Sequence, residues 1–357
     1  MQNGKDGKIK IMVNLEFFKD KKIFITGHTG FKGTWLCKIL IDIGAIVKGY
    51  ALKPEEDSLF KKINLARKMD SVYGDIRNLE NLKKEFNEFN PEIVIHLAAQ
   101  PIVRKAYEMP VYTYETNVIG TVNILECIRT SNCVKSFLNV TTDKVYENKE
   151  TDCAYRETDR LNGYDPYSNS KSCSELVTDS YKKSYFSDNR VRISTARAGN
   201  VIGGGDIAQD RIIPDCVKFA KENKDIIIRN PNSVRPYQHV LEALFAYLMI
   251  VEKQYSDERY IGNYNIGPNE ENIVRTEVLV ELFCNKWKNI NYINQTDNGP
   301  FESNYLKLNC EEIKKRFNWN PIWNIEKTVE KIVEFEKCNK EKLEECMQKQ
   351  IREYLNQ

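Results

Sequence analysis

A glycine-rich turn near the start of the chain constrains the fold more than any other feature. Lys22–Thr26 is a short apolar run typical of a strand, and Phe31–Ile43 carries apolar side chains at helical spacing. Gly27–Gly33 joins the two, and a second apolar run at Ala45–Tyr50 completes a β-α-β unit. Such a turn lets the backbone approach a pyrophosphate, which the free N–H groups of the helix start can bind. The unit therefore predicts a dinucleotide site.

The alternation of strands and helices continues along the chain. Several of the strands are apolar on both faces, which is typical of a parallel sheet covered by helices on both sides. The sequence therefore predicts an α/β fold with a Rossmann-like, doubly wound parallel sheet. The further predicted strands are Ser71–Asp75, Ile93–Ala99, Ser136–Thr142 and Arg192–Gly199, and the further helices are Leu79–Phe89, Asn117–Thr130 and Ser168–Tyr185.

Beyond residue 199 the pattern loosens and predicts a smaller lobe. Helices are expected at Ile212–Glu222 and Val240–Lys253, a short strand at Ile226–Arg229, and further helix beyond Lys327. We expect residues 17–199 to form the NAD-binding domain and residues 200–357 to form mainly the substrate lobe. A return strand near residues 263–267 would interleave the two.

Composition narrows the possible partners. The 357 residues include 53 basic and 51 acidic ones, so no net field attracts the chain to nucleic acid or to an anionic membrane. The longest apolar run is too short to span a bilayer, and no charged leader precedes it, so a cytoplasmic location is expected. Ten cysteines without a C-x-x-C pair and three separated histidines predict reduced thiols and no metal site.

The second strand bears on which dinucleotide binds. An acidic residue for the adenosine ribose is expected about twenty residues after the glycine turn, but Lys53 stands there. Lys53 or Arg77 could contact a 2′-phosphate, so the residues alone leave NAD and NADP open. Residues at the ends of the third and fourth strands, where a cofactor would cross the edge of the sheet, are further candidates for cofactor binding. The predicted cofactor-binding residues are Gly27, Thr29, Gly30, Phe31, Gly33, Asp75, Ile76, Leu97, Ala98 and Ala99.

Tyr167 and Lys171 are the candidate proton-transfer pair. They stand four residues apart at the start of a predicted helix, so their side chains lie on one face. A lysine cation near a phenol lowers the pKa of the phenol, which could then accept a hydroxyl proton during hydride transfer. Thr142, at the end of the preceding strand, would join them at the carboxyl edge of the sheet.

Taken together, these motifs resemble the extended branch of the short-chain dehydrogenase/reductase superfamily, and within it the CDP-glucose 4,6-dehydratase family. The resemblance extends from about residue 17 to the C-terminal helix. The stretches that carry it are Gly27–Gly33, Leu97–Arg104, Thr116–Val118, Thr142–Lys144, Tyr155–Glu157, Asp165–Lys171, Arg197–Asp206 and Arg235–Val240.

The resemblance implies a lyase with bound NAD. The sugar is oxidised at C4, water is eliminated across C5 and C6, and the hydride returns at C6. Tyr167 would take the O4 proton with help from Thr142, while Lys171 holds the nicotinamide ribose. Asp143 would protonate the leaving C6 hydroxyl. Lys144 is either the base that removes the C5 proton or a lysine fixed in a salt bridge.

The resemblance also implies binding residues and an oligomer. Asn117 would contact the cofactor, and a homodimer or homotetramer is expected, with the apolar face of Asn117–Thr130 as a candidate interface. Alternatives remain: a 4,6-dehydratase of another nucleotide sugar, a nucleotide-sugar 4-epimerase, or a catalytically silent dinucleotide-binding protein. The expected substrate-binding residues are Gln100, Arg104, Asn200, Arg211, Arg235 and Tyr237.

Overall fold

The computed structural model describes residues 13–295 and 305–356. The strands are β1 Lys22–Thr26, β2 Ile46–Ala51, β3 Asp70–Tyr73, β4 Ile93–His96, β5 Ser136–Val140, β6 Arg192–Ala198, β7 Val201–Ile202, β8 Ile226–Ile228, β9 Val234–Arg235, β10 Gln238–His239, β11 Asn263–Ile266, β12 Val274–Arg275 and β13 Tyr292–Asn294. The α-helices are α1 Phe31–Asp42, α2 Leu59–Lys62, α3 Leu79–Phe89, α4 Val103–Glu108, α5 Pro110–Tyr114, α6 Gly120–Arg129, α7 Pro166–Tyr185, α8 Ile212–Lys221, α9 Val240–Ser256, α10 Thr276–Trp287, α11 Glu311–Phe317, α12 Ile325–Glu336 and α13 Leu343–Leu355.

A seven-stranded sheet forms the centre of the molecule. Its strand order is β3-β2-β1-β4-β5-β6-β11, and every neighbouring pair is parallel. Every residue of β4 and β5 is buried, as expected for strands covered by helices on both faces. The order reverses between β1 and β4, where doubly wound folds open a crevice for a ligand. The predicted fold class is confirmed.

Two central strands end earlier than predicted. β4 ends at His96 and β5 at Val140, whereas the apolar pattern had extended them to residues 99 and 142. The remaining residues leave the sheet at its carboxyl edge and form the walls of a crevice. Thr141 still donates its backbone N–H to the Ala196 carbonyl across 2.9 Å, so the chain stays ordered as it leaves the sheet.

Helix α9 lies in a different layer from the one predicted. The sequence pattern predicts this helix in the second lobe, but it packs on β5, β6 and α1. Nearly all of its residues are buried, which is typical of a helix enclosed on every side. β11 then pairs with β6, with Asn263 opposite Thr195, near the range expected for a return strand. The division at residue 199 remains a prediction.

The predicted helix Asn117–Thr130 also differs in detail. A π-helical turn, Glu115–Ile119, precedes the α-helix Gly120–Arg129. Its apolar residues Ile124, Leu125 and Ile128 are fully buried in a core with Phe137 of the sheet. The chain itself covers these three residues, whereas Ile119 in the preceding turn is 48% exposed, so an oligomer interface on Asn117–Thr130 stays a prediction.

The second part of the chain builds a smaller core beside the crevice. α8, α10 and α12 enclose a separate apolar cluster that includes Ile213, Leu279 and Val329. Three two-stranded ladders, β7 with β10, β9 with β12 and β8 with β13, connect these elements. Within the described part of the chain, no helix is long and apolar enough to cross a membrane.

Candidate active site

The glycine turn packs closely against the neighbouring strand end. Gly27 has a φ of 77°, and a Cβ atom there would lie 2.7 Å from the Ala98 backbone nitrogen. A Cβ atom on Gly33 would lie 2.2 Å from the Gly27 carbonyl oxygen. α1 begins at Phe31 without a side-chain cap, so its N-cap residue leaves the first N–H groups of the helix available to a ligand. An uncapped helix start beside a close-packed turn fits a pyrophosphate.

The loop after β4 is fixed by a buried threonine. The Oγ1 atom of Thr26 accepts hydrogen bonds from the backbone N–H groups of Leu97 at 3.1 Å and Ala98 at 3.2 Å. Thr29 donates its hydroxyl to the Leu52 carbonyl at 3.0 Å. These bonds hold the glycine turn and its neighbouring loop at fixed positions on the carboxyl edge.

Asp165 determines where the helix carrying the candidate pair begins. Its Oδ1 atom accepts from the backbone N–H groups of Tyr167 at 2.9 Å and Ser168 at 3.0 Å, and Pro166 occupies the first helical position. This is a typical N-terminal cap. Tyr167 therefore lies in the first turn of α7, with Lys171 one turn later.

A buried ion pair anchors the same helix to the sheet. The guanidinium of Arg197 in β6 donates from Nη2 to the Glu175 carboxylate of α7 at 3.0 Å, and the same carboxylate accepts a second bond from Nε at 3.0 Å. Both side chains are about 98% buried, since each has a relative exposure of 2%. Losing one partner of such a pair is strongly destabilising, so α7 is held in one position relative to β6.

The protonation of the Tyr167–Lys171 pair differs from expectation. Burial raises the pKa of Tyr167 to about 12, although interactions with the Thr142 hydroxyl and Arg211 oppose this shift. Burial lowers the pKa of Lys171 to about 8. Its Nζ atom donates to the Val140 carbonyl at 3.1 Å. The prediction that Lys171 lowers the pKa of Tyr167 is wrong for the protein alone, because desolvation of the phenol dominates.

The residues after β5 form a compact polar group. Thr142 donates from Oγ1 to Oδ1 of Asp143 at 2.9 Å. Lys144 donates from Nζ to the same oxygen at 3.1 Å and to the Asn200 side-chain oxygen at 3.2 Å. The Oδ2 atom of Asp143 is buried and has no partner among the described residues. One carboxylate oxygen is therefore left for a ligand.

A cavity of about 520 Å³ opens over these groups, between the main sheet and the smaller core. It brings together most of the predicted catalytic and substrate-binding residues and three of the predicted cofactor-binding ones. The predicted residues that line it are Phe31, Leu97, Ala99, Arg104, Thr142, Asp143, Lys144, Tyr167, Lys171, Asn200, Arg211, Arg235 and Tyr237.

Two residues that were predicted to contact a ligand, Gln100 and Asn117, instead form hydrogen bonds within the protein. Gln100 is 4% exposed, and its amide bonds the backbone of Ile102 and the hydroxyl of Thr113. The side-chain oxygen of Asn117 accepts from the Gln100 backbone N–H, and its side-chain nitrogen donates to the Gln100 carbonyl and to the Ser170 hydroxyl. Neither side chain lines the cavity. Both position the loop that follows β4.

The predicted residues at the far strand end form a separate group. Asp75 pairs with Arg77 at 2.7 Å, and the guanidinium of Arg77 keeps the pKa of the Asp75 carboxyl below its ordinary value. Arg77 also pairs with Glu115 at 2.7 Å. Ile76 is buried in the core, where it packs against Gly120. That Asp75 and Ile76 contact the cofactor stays a prediction.

On the opposite wall, polar side chains meet across the two parts of the chain. Arg211 donates to Asp206 at 2.9 Å, and the Tyr237 hydroxyl lies 2.9 Å from the Thr276 hydroxyl. Arg104 of α4 lies 3.9 Å from Asp210, so this wall links the sheet to the smaller core. Guanidinium groups in such a cavity suit the paired oxygens of a diphosphate.

The family model described as GDP-mannose 4,6 dehydratase matches residues 24–332, which is most of the chain. A CDP-glucose 4,6-dehydratase from Salmonella typhimurium is 42% identical over 355 residues, covering 97% of this chain and 99% of the relative. The chain belongs to the GDP-mannose 4,6 dehydratase family. The predicted membership of the nucleotide-sugar dehydratases is confirmed.

Solved structures of this fold are similar over nearly the whole chain. An epimerase from Methanothermobacter thermautotrophicus has a TM-score of 0.79 and 19% identity, covering 91% of this chain and 94% of the other. A dTDP-glucose 4,6-dehydratase from Bacillus anthracis, solved in complex with NAD, has a TM-score of 0.72 and 24% identity, covering 91% and 99%. At these identities the likeness shows the shared fold.

Three residues at this site are not predicted from the sequence. Lys32 and Asp206 line the cavity, and Tyr247 of α9 faces Lys32, with its ring centroid 5.8 Å from the Lys32 Nζ atom. Lys32 had a detectable signal, since it stands inside the glycine turn at the start of a helix, where a basic residue adds positive charge. Tyr247 had none, because only the packing of α9 brings it there.

Proposed function

We propose that this dehydratase acts on CDP-D-glucose and uses NAD to form CDP-4-keto-6-deoxy-D-glucose and water. One structural observation carries the proposal: Thr142, Asp143 and Tyr167 line one cavity, and Asp143 presents a buried, unpaired carboxylate oxygen there. The 42% identity to a CDP-glucose 4,6-dehydratase supports this substrate.

The glycine turn, the start of α1 and the surroundings of Arg77 fit NAD as the cofactor. The close-packed glycines and the uncapped start of α1 fit its pyrophosphate. Arg77 could otherwise contact the additional phosphate of NADP, but it is paired with Asp75 and Glu115, which favours NAD. When bound, NAD accepts the hydride from C4 of the sugar and later returns it at C6. The chain's own residues supply the binding groups and the proton transfers.

Tyr167 acts as the base for the sugar O4 hydroxyl. Its high pKa in the protein alone means that the phenol stays protonated and cannot accept a proton until a cation approaches, and a pyridinium ring beside it would favour the ionised phenol. Thr142 orients the same hydroxyl, because its own hydroxyl interacts with that of Tyr167. Lys171 holds the ribose hydroxyls near Tyr167, one helical turn away.

Asp143 acts as the acid for the departing C6 hydroxyl. The C5–H bond breaks as the C6–O bond breaks: a water molecule in the cavity takes the proton from C5, and the carboxyl group of Asp143 gives its proton to the leaving oxygen. Lys144, within 3.1 Å of Asp143, is better placed as a cation that orients this carboxyl group than as a neutral base. A 4-epimerase needs no acid at this position, so Asp143 favours dehydration over that alternative.

Arg211, Arg235 and Asn200 hold the nucleotide diphosphate, with Arg104 and Tyr237 closing the same wall. All five line the cavity. Arg235 is 6% exposed, and a buried guanidinium favours a dianionic ligand strongly because little water competes with it.

We further propose a homodimer or homotetramer. Val111 is 70% exposed and Ile119 is 48% exposed, and both line a shallow apolar groove with Pro110 and Tyr114. Exposed apolar surface of this kind is typical of an interface. Location in the cytoplasm stays a prediction.

The test is incubation of the purified chain with the CDP-, dTDP-, GDP- and UDP-linked forms of glucose, with and without added NAD⁺. We expect only CDP-glucose to give a product lighter by one water, with no net consumption of NAD⁺. Dehydration of a different nucleotide sugar would correct the substrate, and an isomeric product of unchanged mass would replace dehydration by epimerisation.

A further inference from the structure

Helix α12 ends beside the loop of residues 203–205 that follows β7, although none of the described residues of α12 lines the cavity. The last two residues of this helix, Phe335 and Glu336, contact the loop. A Cβ atom on Gly204 would lie 2.2 Å from Cδ1 of Phe335. The backbone N–H of Gly205 donates to Oε1 of Glu336 at 2.8 Å. The roles proposed for the cavity residues leave this carboxylate without a function.

The same loop is also attached to α1, the helix that begins at the glycine turn. Trp35 of α1 donates from its indole nitrogen to the Gly204 carbonyl at 3.0 Å. Gly205 has a φ of 81°, and a Cβ atom there would lie 2.7 Å from the Leu59 side chain. Because a glycine backbone can otherwise adopt many conformations, these contacts and the Glu336 carboxylate determine where the loop lies.

The segment that follows the loop carries two charged groups of the cavity wall. Asp206 directly follows Gly205 and is 8% exposed. Its carboxylate accepts from the Ala208 backbone N–H at 3.1 Å and from the Arg211 guanidinium at 2.9 Å. Both Asp206 and Arg211 line the cavity. A displacement of Gly205 therefore moves the carboxylate that orients Arg211.

Glu336 also contacts the far end of α8. Its Oε2 atom accepts from Nζ of Lys221, the last residue of that helix, at 2.6 Å. The Lys221 side chain is 51% exposed, so this ion pair contributes little stability. The Glu336 side chain is only 10% exposed, and a hydrogen bond from a backbone N–H to such a carboxylate is roughly twice as strong as a neutral one. The bond from Gly205 is therefore the contact that holds the loop.

We propose that Glu336 is a positioning residue for nucleotide-sugar binding. Its carboxylate fixes Gly205, and this fixes the Asp206 carboxylate that orients Arg211 toward the diphosphate. The inference rests on the proposed function, in which Arg211 binds that diphosphate. Because Glu336 does not line the cavity, its loss should weaken binding of the substrate and leave the chemical steps unchanged.

The test is steady-state dehydration of CDP-glucose by the purified full chain with saturating NAD⁺, together with calorimetric binding of CDP to the same holoenzyme. In Glu336→Ala, we expect the KM for CDP-glucose and the Kd for CDP to rise about tenfold, as for the loss of one charge-assisted hydrogen bond. The kcat should stay within about twofold of wild type. Glu336→Gln keeps an acceptor oxygen for the Gly205 N–H and should restore both constants to within about threefold. A general loss of folded protein would instead lower kcat and leave KM unchanged.

Two further measurements locate the effect. Glu334→Ala removes a carboxylate of the same helix that pairs with Lys331 at 2.7 Å, so it is the matched control and should leave both constants at the wild-type values. In an Arg211→Met background, Glu336→Ala should raise the Kd for CDP by less than about twofold, because Glu336 acts through Arg211.

An unchanged KM in Glu336→Ala, an equal rise in Glu334→Ala, or full additivity with Arg211→Met would overturn the role of Glu336 and leave the dehydratase proposal standing. If the wild type binds CDP without dehydrating CDP-glucose, the dehydratase proposal fails and the Kd for CDP decides the role of Glu336. A wild type that does neither would overturn both. Should Glu336→Ala fail to fold, Glu336→Asp, whose side chain is one carbon shorter, should show the same rise in Kd, and an unchanged Kd would overturn the role.

Discussion

The ammonium group of Lys144 lies 3.1 Å from Oδ1 of Asp143, whose side chain has no exposed surface. The other oxygen of that carboxyl group has no partner among the described residues. A buried carboxyl group with one oxygen fixed by a hydrogen bond and the other oxygen available is well placed to give a proton to a bound ligand. In the proposed mechanism, Lys144 keeps Asp143 in that orientation.

Replacing Asp143 should therefore stop elimination while sparing the earlier steps. We expect Asp143→Asn to lower the rate of water loss by roughly 10² to 10⁴, the usual contribution of a positioned acid. NAD⁺ affinity should stay within about twofold of wild type, because the side chain faces the sugar. Product mass spectrometry measures the first effect and calorimetry the second. Undiminished dehydration by Asp143→Asn would rule out Asp143 as the acid.

Two substitutions at Lys144 distinguish a cation from a base. Lys144→Arg preserves the charge beside Asp143 and should keep activity within about tenfold, whereas Lys144→Met should lose about a hundredfold or more. Exchange of the C5 hydrogen with deuterated water reports the base directly. If Lys144→Arg abolishes that exchange as completely as Lys144→Met does, Lys144 is the C5 base and its orienting role is refuted.

The glycine turn allows a matched pair of alanine substitutions. Gly33→Ala places a methyl group 2.2 Å from the Gly27 carbonyl oxygen, so we expect a loss of about 2 to 4 kcal/mol in the free energy of unfolding. Gly30→Ala places it 3.4 Å from the same atom, so stability should change by less than about 1 kcal/mol. Urea unfolding measures both. Equal stability of the two variants would contradict the packing described for the turn.

Protonation of the three buried histidines should lower the free energy of unfolding in acid. Burial lowers the pKa of His28 to about 4 and of His96 and His239 to about 3. Each binds its proton more readily in the unfolded chain, so their contribution is complete above about pH 6.5 and is lost as the pH falls through about 4 for His28 and through about 3 for His96 and His239. The expected slope is about 1.4 kcal/mol per pH unit for each histidine.

Urea unfolding at a series of pH values measures that slope. His239→Asn is the informative variant, because the Nδ1 atom of His239 caps α9 by accepting from the Leu241 N–H, and asparagine can cap a helix. In His239→Asn, the slope of stability against pH should fall by about 1.4 kcal/mol per pH unit, the contribution of one histidine. A slope identical to wild type would show that His239 is not protonated on unfolding.

The sequence allowed the sheet and the clustering of the candidate catalytic residues to be predicted because their signals are local. Apolar runs such as residues 93–96 identify buried strands, and the Asp165 cap identifies the start of α7 from four neighbouring residues. Parallel strands place their carboxyl ends on one edge, so Thr142 and Tyr167 could be expected to meet there.

Other features depended on contacts that no local pattern encodes. The side-chain amides of Gln100 and Asn117 could hydrogen-bond a ligand or the protein backbone equally well. In the structure, both hold the loop that follows β4. The layer occupied by α9 depends on long-range packing, because a helix that is apolar on every side fits either core. Burial decides the Tyr167 pKa as well, and burial is known only once α7 is in place.

The most direct test of the central claim follows a deuterium atom from C4 of the sugar. CDP-glucose labelled with deuterium at C4 is converted by the purified protein, and the product is examined by NMR and mass spectrometry. Since one bound cofactor stores and returns the hydride, the deuterium should appear on C6 of the same molecule. Deuterium lost to solvent, or still present at C4 in the product, would contradict the account.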